Sequence, residues 1–278
     1  MVLLNSHALR DKMVQNGIQE NTLLQKLNKF KPKISFSLEH GDYIVETAKN
    51  AEDLYAALAL RQHSFIEDFL PGEDVDFIDF DEYDLKADHI LVRDRQTYEV
   101  LGCYRVFCSK FVKKHYSESQ FDLGTFLKTP GTKIELGRAC IHKNHRNGVT
   151  LNLVWKGLAK YALLSESQYM FGCASIKTTS FEVAESIYWH LAPGFADNQY
   201  KMKVLKPYQF KQFFNMDSLL PWPQVEPLIP ALLRTYLMAG AKICSTAALD
   251  NVFRCVDYIT VLDLSKLDSK YRRRYFDD

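Results

Sequence analysis

The sequence lacks the cysteine spacing on which zinc sites and dithiol redox sites depend. None of its cysteines forms a Cys-x-x-Cys pair, so neither kind of site is predicted. We expect reduced, buried thiols that behave as small hydrophobic side chains. The six cysteines stand at positions 103, 108, 140, 173, 244 and 255.

Long apolar runs and an excess of charge of one sign are absent as well. No run approaches the ~20 apolar residues that a membrane-spanning helix needs, and no basic-then-apolar segment marks a signal peptide. The net charge of +1 gives no global field that would attract nucleic acid. These absences predict a cytoplasmic protein without a nucleic-acid partner.

The remaining composition is that of a globular protein with a substantial core. Of its 278 residues, 47% are hydrophobic and 25% are charged. Residues 1–40 are polar and helical in pattern, and we interpret them as an N-terminal helical extension. Residues 41–278 mix strand and helix patterns without a long linker, which predicts one α/β domain.

A helix is predicted after position 50, because Leu54, Leu58, Arg61 and Phe65 recur at helical spacing. Arg61 therefore lies on an otherwise apolar stripe. Two interpretations stay open: the arginine snorkels past the edge of the core, or its charge points into a pocket. An acidic loop with interspersed aromatic residues follows over residues 73–84.

The most informative segment is a strand pattern over residues 134–142, followed by a basic turn and a long apolar helix. Backbone N–H groups at the start of a helix bind phosphate well. A solvated basic loop is the alternative interpretation of the turn. The two histidines of this segment have no third ligand nearby, so no metal is predicted. The candidate phosphate-binding residues are His142, His145, Arg146, Asn147 and Gly148.

Glu135 and Arg138 would point to opposite faces of a regular strand, because they are three residues apart. A β-bulge between them, eased by Gly137, would bring both to one side and part the strand from its neighbour. Such a gap would expose backbone donors to an extended amide chain such as a pantetheine arm. We expect the acid at position 135 to stand there without a partner.

The chemistry that fits such a gap is aminolysis of a thioester. The attacking amine must lose a proton, which a carboxylate can accept directly or through water, and Glu135 is the candidate. A structural ion pair of Glu135 with Arg138 or Arg105 is the alternative. Backbone N–H groups beside the bulge would stabilise the oxyanion. Covalent catalysis by Cys140 or Cys173 is disfavoured, because the local sequence places no histidine beside either thiol.

Trp155 lies on the apolar stripe of the helix that follows the basic turn. It could wall an acyl pocket, although aromatic residues at helical spacing are more often ordinary core.

Several spaced motifs resemble the hemolysin-like branch of the GNAT acyltransferases, which includes the L-ornithine Nα-acyltransferases. The resemblance covers about residues 41–276. The layout is also similar to N-acyl amino acid synthases and acyl-homoserine-lactone synthases. The motifs are Gly102-Cys-Tyr-Arg105, Glu135-Leu-Gly-Arg138, His145-Arg-Asn-Gly148, Phe171-Gly-Cys-Ala-Ser175 and Asp250…Phe253…Asp257.

The resemblance implies a GNAT-like α/β fold: a central mixed, twisted sheet flanked by helices, with a splayed strand at the acyl-donor site. It implies that Arg105 and Arg138 work beside Glu135 in catalysis. It also implies a set of substrate-binding residues. To this set we add Trp155, which the apolar stripe of the helix suggests. That set comprises Arg61, Phe65, Asp81, Asp84, Trp155, Cys173 and Ser175.

The family's phosphate loop usually carries a later glycine and a second small residue, whereas this chain has Arg146-Asn-Gly-Val-Thr. This departure favours a carrier-protein donor over free coenzyme A. The resemblance then implies transfer of a fatty acyl group, expected to be 3-hydroxyacyl, from the phosphopantetheine of acyl carrier protein to an amino acid α-amine. Ornithine is the expected acceptor, as in a first step of bacterial aminolipid synthesis, with no permanently bound cofactor.

Two other functions stay open. The first is an acyl-homoserine-lactone or other N-acyl amino acid signal synthase. The second is a non-catalytic protein that binds acyl carriers. Because a lipid product is amphiphilic, we also expect peripheral contact with the inner membrane through the basic, aromatic tail at residues 271–276.

Overall fold

A computed structural model of the protein describes residues 20–69, 78–213 and 215–277. The described residues fall into two compact units. The first unit holds the described residues up to Phe107, together with Gly137–Ser165. The second unit holds Cys108–Leu136 and the described residues from Glu166 onward.

The first unit is built from two long helices, one short helix and a set of strands. Strand β6 is shared, since its residues from Gly137 onward belong here and its earlier residues belong to the second unit. The elements are α1 (Glu20–Leu27), β1 (Ser37–His40), β2 (Tyr43–Thr47), α2 (Ala51–Phe69), β3 (Asp88–Asp94), β4 (Val100–Cys108), β6 (Thr132–Ile141) and α3 (Gly148–Leu164).

Strands β1 to β4 form an antiparallel meander. Ser37 pairs with Glu46, Tyr43 with Asp94, and Asp88 with Val106. The β3–β4 register shifts between Val92 and Arg93. Every residue of β4 is buried, so both faces of this strand are covered rather than one.

Helix α3 lies very close to strands β2 and β3. A Cβ placed on Gly157 would stand 2.7 Å from Ile90 and 2.8 Å from Val45, so only glycine permits this approach. On α2, Leu54 and Leu58 are fully buried in the core, as their helical spacing predicts. This core also includes Cys103 and Cys140, which lie on the strands that carry Arg105 and Arg138.

The second unit also combines strands and helices. Its elements, besides the first residues of β6, are β5 (Phe121–Asp122), β7 (Ser167–Ile176), α4 (Phe181–Phe195), β8 (Lys203–Val204), α5 (Trp222–Val225), α6 (Ala231–Ala239), β9 (Lys242–Ile243), β10 (Ala248–Asp250), β11 (Cys255–Asp263) and α7 (Ser269–Tyr275).

Strand β7 is central to this unit. It pairs antiparallel with β11 along eight residues, from Ile176↔Val256 to Tyr169↔Asp263. On its other side it pairs parallel with β6, and that ladder ends at Glu135↔Phe171. Gly172 follows at the point where a Cβ would stand 2.2 Å from the carbonyl oxygen of Leu136. Glu135 is therefore the last residue of β6 that pairs with β7.

Aromatic rings fill the core beside this ladder. The ring of Phe126 contacts the rings of Tyr169, Phe171 and Tyr200, with centroids 5.6, 5.1 and 4.9 Å apart. All three pairs are edge-to-face, the arrangement that aromatic quadrupoles favour. Phe171, the partner of Glu135, is thereby fixed by packing.

Two helix boundaries differ from the sequence prediction. The pattern Thr179-Ser-Phe-Glu182 predicts a capping box that starts a helix at Thr179. This prediction is wrong, because Ser180 is the N-cap of α4 and its Oγ accepts the N–H of Val183 at 3.3 Å. The sequence Pro193-Gly194 predicts the end of this helix, but the helix continues past Pro193 to Phe195. Gly240 follows an apolar helix pattern and predicts a helix stop there. The stop is confirmed, since this glycine ends α6 with φ of 110°.

The predicted extension over residues 1–40 lies partly outside the described residues. From Glu20 onward, helix α1 and strand β1 belong to the first unit. Among the helices described, none is long and apolar enough to cross a membrane.

Candidate active site

Three arginines and three aspartates of the first unit are in contact through ion pairs. We call this set the arginine–aspartate cluster. It comprises Arg61, Arg105, Arg138, Asp79, Asp81 and Asp84.

Helix α2 places Arg61 in the interior of this cluster. Its Nε donates to Asp79 Oδ2 at 2.8 Å, and its Nη1 donates to Asp84 Oδ1 at 2.6 Å. Its Nη2 also donates to the backbone carbonyl of Asp79 at 2.9 Å. The residue is 0% exposed, so the snorkelling interpretation is wrong. Two carboxylates hold this guanidinium inside the protein and compensate its buried charge.

Strand β4 supplies Arg105, which is also buried. Its Nη1 lies 2.7 and 2.8 Å from the two carboxylate oxygens of Asp81 and 3.1 Å from Asp84 Oδ1. Strand β6 supplies Arg138, whose Nε is 3.4 Å from Asp79 Oδ2 and whose Nη2 is 3.5 Å from Asp81 Oδ2. Asp81 and Arg138 have the most exposed side chains of the cluster, at 24% and 12%.

The charges of the cluster dominate its proton affinities. Burial opposes ionisation of Asp84, but Arg61 and Arg105 outweigh it and hold the pKa of this carboxyl below its usual value. Burial lowers the pKa of the neighbouring His89 to about 4. The Nε2–H of this neutral ring donates to the Asp84 carbonyl at 3.0 Å. The cluster is thus a set of fixed charges near neutral pH.

The backbone of β6 is kinked at Arg138 itself. This residue has φ of 53°, in the left-handed region that few non-glycine residues occupy. The sequence predicted a bulge between Glu135 and Arg138 that Gly137 would ease. The φ of Gly137 is not positive, however. The strain therefore falls on the arginine whose side chain reaches the cluster.

The basic turn before α3 is open to solvent. Lys143, Arg146, Asn147 and Gly148 are exposed. The side chain of Asn147 caps α3 by accepting the N–H of Thr150 at 3.0 Å. The Nε of Arg146 donates to the carbonyl of Ile141 at 3.1 Å, which holds the guanidinium stem against β6.

Histidine rings line this turn. The rings of His142 and His145 have centroids 5.6 Å apart, and the ring of His63 stacks on His142 at 6.2 Å. The backbone N–H of Asn144 donates to Nδ1 of His142 at 3.3 Å. The phosphate-binding residues predicted from the sequence are therefore neighbours in the first unit.

Two further predicted residues belong to the helices of the first unit. Trp155 is 1% exposed on α3, which makes it part of the core. Phe65 lies on α2, but its side chain is outside the described part of the chain. Their predicted contact with substrate stays a prediction.

Glu135 lies in the second unit, where it holds a turn. Its Oε1 accepts from the backbone N–H and the Oγ of Ser117, at 2.6 and 2.5 Å, and its Oε2 accepts the N–H of Tyr116 at 2.7 Å. Residues Tyr116–Ser119 form a 3₁₀ turn whose first N–H groups need acceptors. The expectation of an acid without a partner is wrong, because these neutral donors surround it.

Burial raises the pKa of the Glu135 carboxyl above its usual value, although His115 and the hydrogen bonds from Ser117 and Tyr116 oppose the shift. A carboxylate offers about four lone-pair positions to donors. The three bonds leave room for one more donor, such as a water or an amine. The arrangement can therefore bind a proton donor and accept its proton.

A chain of polar groups leads from Glu135 toward the surface. The Oγ of Ser117 contacts both Glu135 and the thiol of Cys173, which lies 3.5 Å away and is half-buried. Ser175, two residues further along β7, is exposed and donates to Asp257 Oδ1 at 2.5 Å. Burial raises the pKa of the Cys173 thiol well above its usual value, so the thiol stays protonated.

Several residues of these sites were not identified from the sequence. Asp79 lies in the acidic loop, but nothing in the loop's composition distinguishes it from the neighbouring acids. His115 and Ser117 stand in an irregular, basic stretch. The His115…Glu118 spacing was the one available signal, since an acid three residues after a cap is typical of a capped turn.

Within the described ranges, no group of three or more His, Cys, Asp or Glu side chains could hold a metal ion.

A family model for the acetyltransferase (GNAT) domain matches residues 60–156. This stretch contains the arginines of the cluster, Glu135 and the basic turn. Residues 60–156 are therefore similar to a GNAT acetyltransferase domain. The mixed sheet flanked by helices, which the resemblance implied, is confirmed.

Curated relatives match most of the length of the chain. The L-ornithine N(alpha)-acyltransferase of Rhodobacter capsulatus is 28% identical over 84% of this chain and 94% of its own length. The protein of the same name from Rhizobium meliloti is 28% identical over 82% of each chain. Among solved structures, the acyl-homoserine lactone synthase BjaI with isopentyl-CoA aligns with 81% of this chain and 82% of its own, at 14% identity and a TM-score of 0.46.

Proposed function

We propose that this acyltransferase moves a fatty acyl group from the phosphopantetheine thioester of acyl carrier protein to the α-amine of ornithine. The names of its curated relatives support ornithine as the acceptor. The observation that carries the chemistry is the buried carboxylate of Glu135, with its raised pKa and an acceptor position left for a donor. The 3-hydroxyacyl group and the cytoplasmic location belong to the same proposal.

Glu135 accepts a proton from the amine, directly or through one water. A carboxyl whose pKa is raised toward neutrality is a better base than an exposed one, because proton transfer to it is more favourable. Cys173 and Ser175, on the half-buried and exposed part of β7, are the residues proposed to contact the substrates in the second unit.

The three arginines of the cluster in the first unit differ in how exposed they are. Arg61 and Arg105 are 0% and 1% exposed, so we assign them to holding the acidic loop through Asp81 and Asp84. Arg138, with its exposed edge, is the one proposed to contact the acceptor carboxylate. A guanidinium suits this task because its planar donors match a carboxylate.

The basic turn is proposed to bind the phosphate of the pantetheine arm. Support comes from the exposed cation of Arg146 and from the start of the 17-residue helix α3 at Gly148. Replacing Arg146 by alanine is then expected to raise KM for acyl carrier protein while leaving kcat nearly unchanged. A lower kcat at unchanged KM would contradict this role.

Membrane contact is proposed for α7, where Arg273 and Arg274 are exposed beside Tyr271 and Tyr275. In a flotation assay, the protein should float with vesicles that contain anionic lipid. The double variant Arg273→Ala/Arg274→Ala should bind these vesicles less. Equal flotation of both proteins would remove the proposal.

The decisive assay uses 3-hydroxyacyl carrier protein and ornithine, with the amide product read by mass spectrometry. Glu135→Gln should lower kcat by about 100-fold or more, the usual contribution of a general base. Glu166→Gln is the matched control, because this exposed acid of the same unit pairs with Lys110 at 2.7 Å. An unchanged rate in Glu135→Gln would remove the base role. A lactone product formed with S-adenosylmethionine would instead identify a signal synthase.

A further inference from the structure

His115 is a buried titratable residue that the chemistry above does not use. It is 3% exposed and precedes the turn that binds Glu135. Its Nδ1 lies 3.3 Å from Oε1 of Glu118, and its backbone N–H donates to the same oxygen at 2.7 Å. Because an ionised carboxylate only accepts hydrogen bonds, this contact favours the tautomer with the hydrogen on Nδ1.

This contact leaves the other nitrogen of the ring as an acceptor. In a neutral imidazole with hydrogen on Nδ1, the Nε2 atom carries a lone pair. Nε2 is buried and has no hydrogen-bond partner among the described residues. Buried polar atoms without a partner are rare, and a bound ligand or a catalytic role commonly accounts for them.

The ring stands next to the end of the β6–β7 ladder. It packs edge-on against Phe171 with centroids 5.2 Å apart, and Phe171 is the residue paired with Glu135. Tyr116 and Ser117, which follow it in the chain, donate their N–H groups to Glu135. The imidazole and the carboxylate are therefore held by one turn.

The proposed reaction needs more than one proton acceptor. The α-amine of a free amino acid is largely an ammonium at neutral pH. An ammonium that becomes an amide N–H loses two protons, one before attack on the thioester carbonyl and one after it. One carboxylate holds a single proton at a time.

We propose that Nε2 of His115 is the second proton acceptor of the acyl-transfer reaction, with Glu118 as the residue that positions its ring. This inference rests on the proposed function. Glu135 takes the first proton and frees the amine. The amine nitrogen then bonds to the thioester carbon. His115 takes the second proton from that nitrogen as the carbon–sulfur bond breaks, and it returns this proton to the departing thiolate.

The test compares the wild-type protein with variants that lack the lone pair of His115 Nε2. His115→Asn keeps an N–H near the position of Nδ1 for Glu118 and removes Nε2, so the fold should survive while kcat falls by about 100-fold. His115→Ala should lose activity similarly and regain part of it with added imidazole, because the deleted ring leaves a space of that shape. A purely structural histidine would not give such rescue.

His190→Asn is the matched control in the same unit. Its Nε2 already has a partner, the carbonyl of Leu220 at 2.7 Å, so kcat should stay at the wild-type value. Glu118→Gln should lower kcat less than His115→Asn does, since the amide oxygen still accepts from Nδ1.

The outcomes separate the two proposals. If wild type forms the ornithine amide, Glu135→Gln is impaired and folded His115→Asn is as active as wild type, the role of His115 is overturned and the function stands. Loss of activity in His115→Ala without imidazole rescue, at an unchanged thermal midpoint, would also overturn it. If wild type forms no amide with any amino acid, the proposed function itself fails.

Discussion

The arginine–aspartate cluster of the first unit and the Glu135 turn of the second unit both bury carboxylates, yet their electrostatics are opposite. In the cluster, guanidinium groups surround Asp79 and Asp84 and lower their pKa values despite burial. Around Glu135, the donors are two backbone N–H groups and a hydroxyl, and burial raises its pKa. Burial alone therefore does not decide what a carboxylate does; the charge of its partners does.

The difference separates a fixed framework from a reactive group. An aspartate between two arginines keeps its charge across the physiological range and is a poor proton acceptor. A carboxyl held by neutral donors has a proton affinity closer to neutrality, which general-base chemistry needs. The four predictions below test this contrast, from the largest expected effect to the smallest.

Asp84→Asn should cause the largest loss of stability. The amide keeps the shape of the side chain but leaves Arg61 and Arg105 without a shared counter-charge in the interior. Breaking a buried ion pair in this way typically costs about 3–5 kcal/mol in the free energy of unfolding. Urea unfolding at pH 7 measures this free energy. A smaller loss of stability in Asp84→Asn than in Glu135→Gln would contradict the difference proposed between the two sites.

Glu135→Gln should cost less stability than Asp84→Asn while affecting activity more. The amide oxygen still accepts from Ser117, but its NH₂ group faces the N–H of Tyr116, and one lost hydrogen bond of this kind costs about 1–3 kcal/mol. The same unfolding series gives the value. Asp84→Asn should retain more of its kcat per folded molecule than Glu135→Gln does.

His89 should make the protein sensitive to acid. Its pKa is about 4 when folded against 6.5 when unfolded, so below pH 6.5 the unfolded chain binds a proton that the folded protein does not. Stability is therefore lost as the pH falls from 6.5 to 4, by at most about 1.4 kcal/mol per pH unit. His89→Gln should flatten this part of the curve, measured by urea midpoints across that window.

Arg95→Ala should have the smallest effect. Its guanidinium pairs with Glu39 at 2.8 Å, but both side chains are more than half exposed, at 53% and 63%. Exposed pairs of this kind contribute about 0–1 kcal/mol because water and salt screen them. If Arg95→Ala lowered the free energy of unfolding as much as Asp84→Asn does, burial would not determine how much an ion pair contributes to stability.

The sequence predicted the fold class and several core elements well. The spacing of Leu54, Leu58 and Arg61 placed all three on the buried face of one helix, and Gly240 marked a helix end. These features are local, because helical periodicity and a left-handed cap depend on residues close in the chain. The Ser180 cap was missed by one residue, since two adjacent hydroxyl residues could each have started the helix.

The sequence identified candidate residues for the site but not the contacts that these residues make. Glu135, Arg105 and Arg138 were identified as candidates. Nothing in the sequence showed that Glu135 accepts from Ser117, eighteen positions earlier, or that Arg61 reaches Asp79 and Asp84. His115 gave only the weak signal of its turn.

The sequence by itself determined which segments become strands and helices, which faces they bury, and that acids and arginines would be placed among them. Only the tertiary structure decided the partners of each buried charge, and with them the direction of each pKa shift. The physical reason is that periodicity acts over a few residues. A pKa instead depends on the few ångströms around the group, where distant parts of the chain meet.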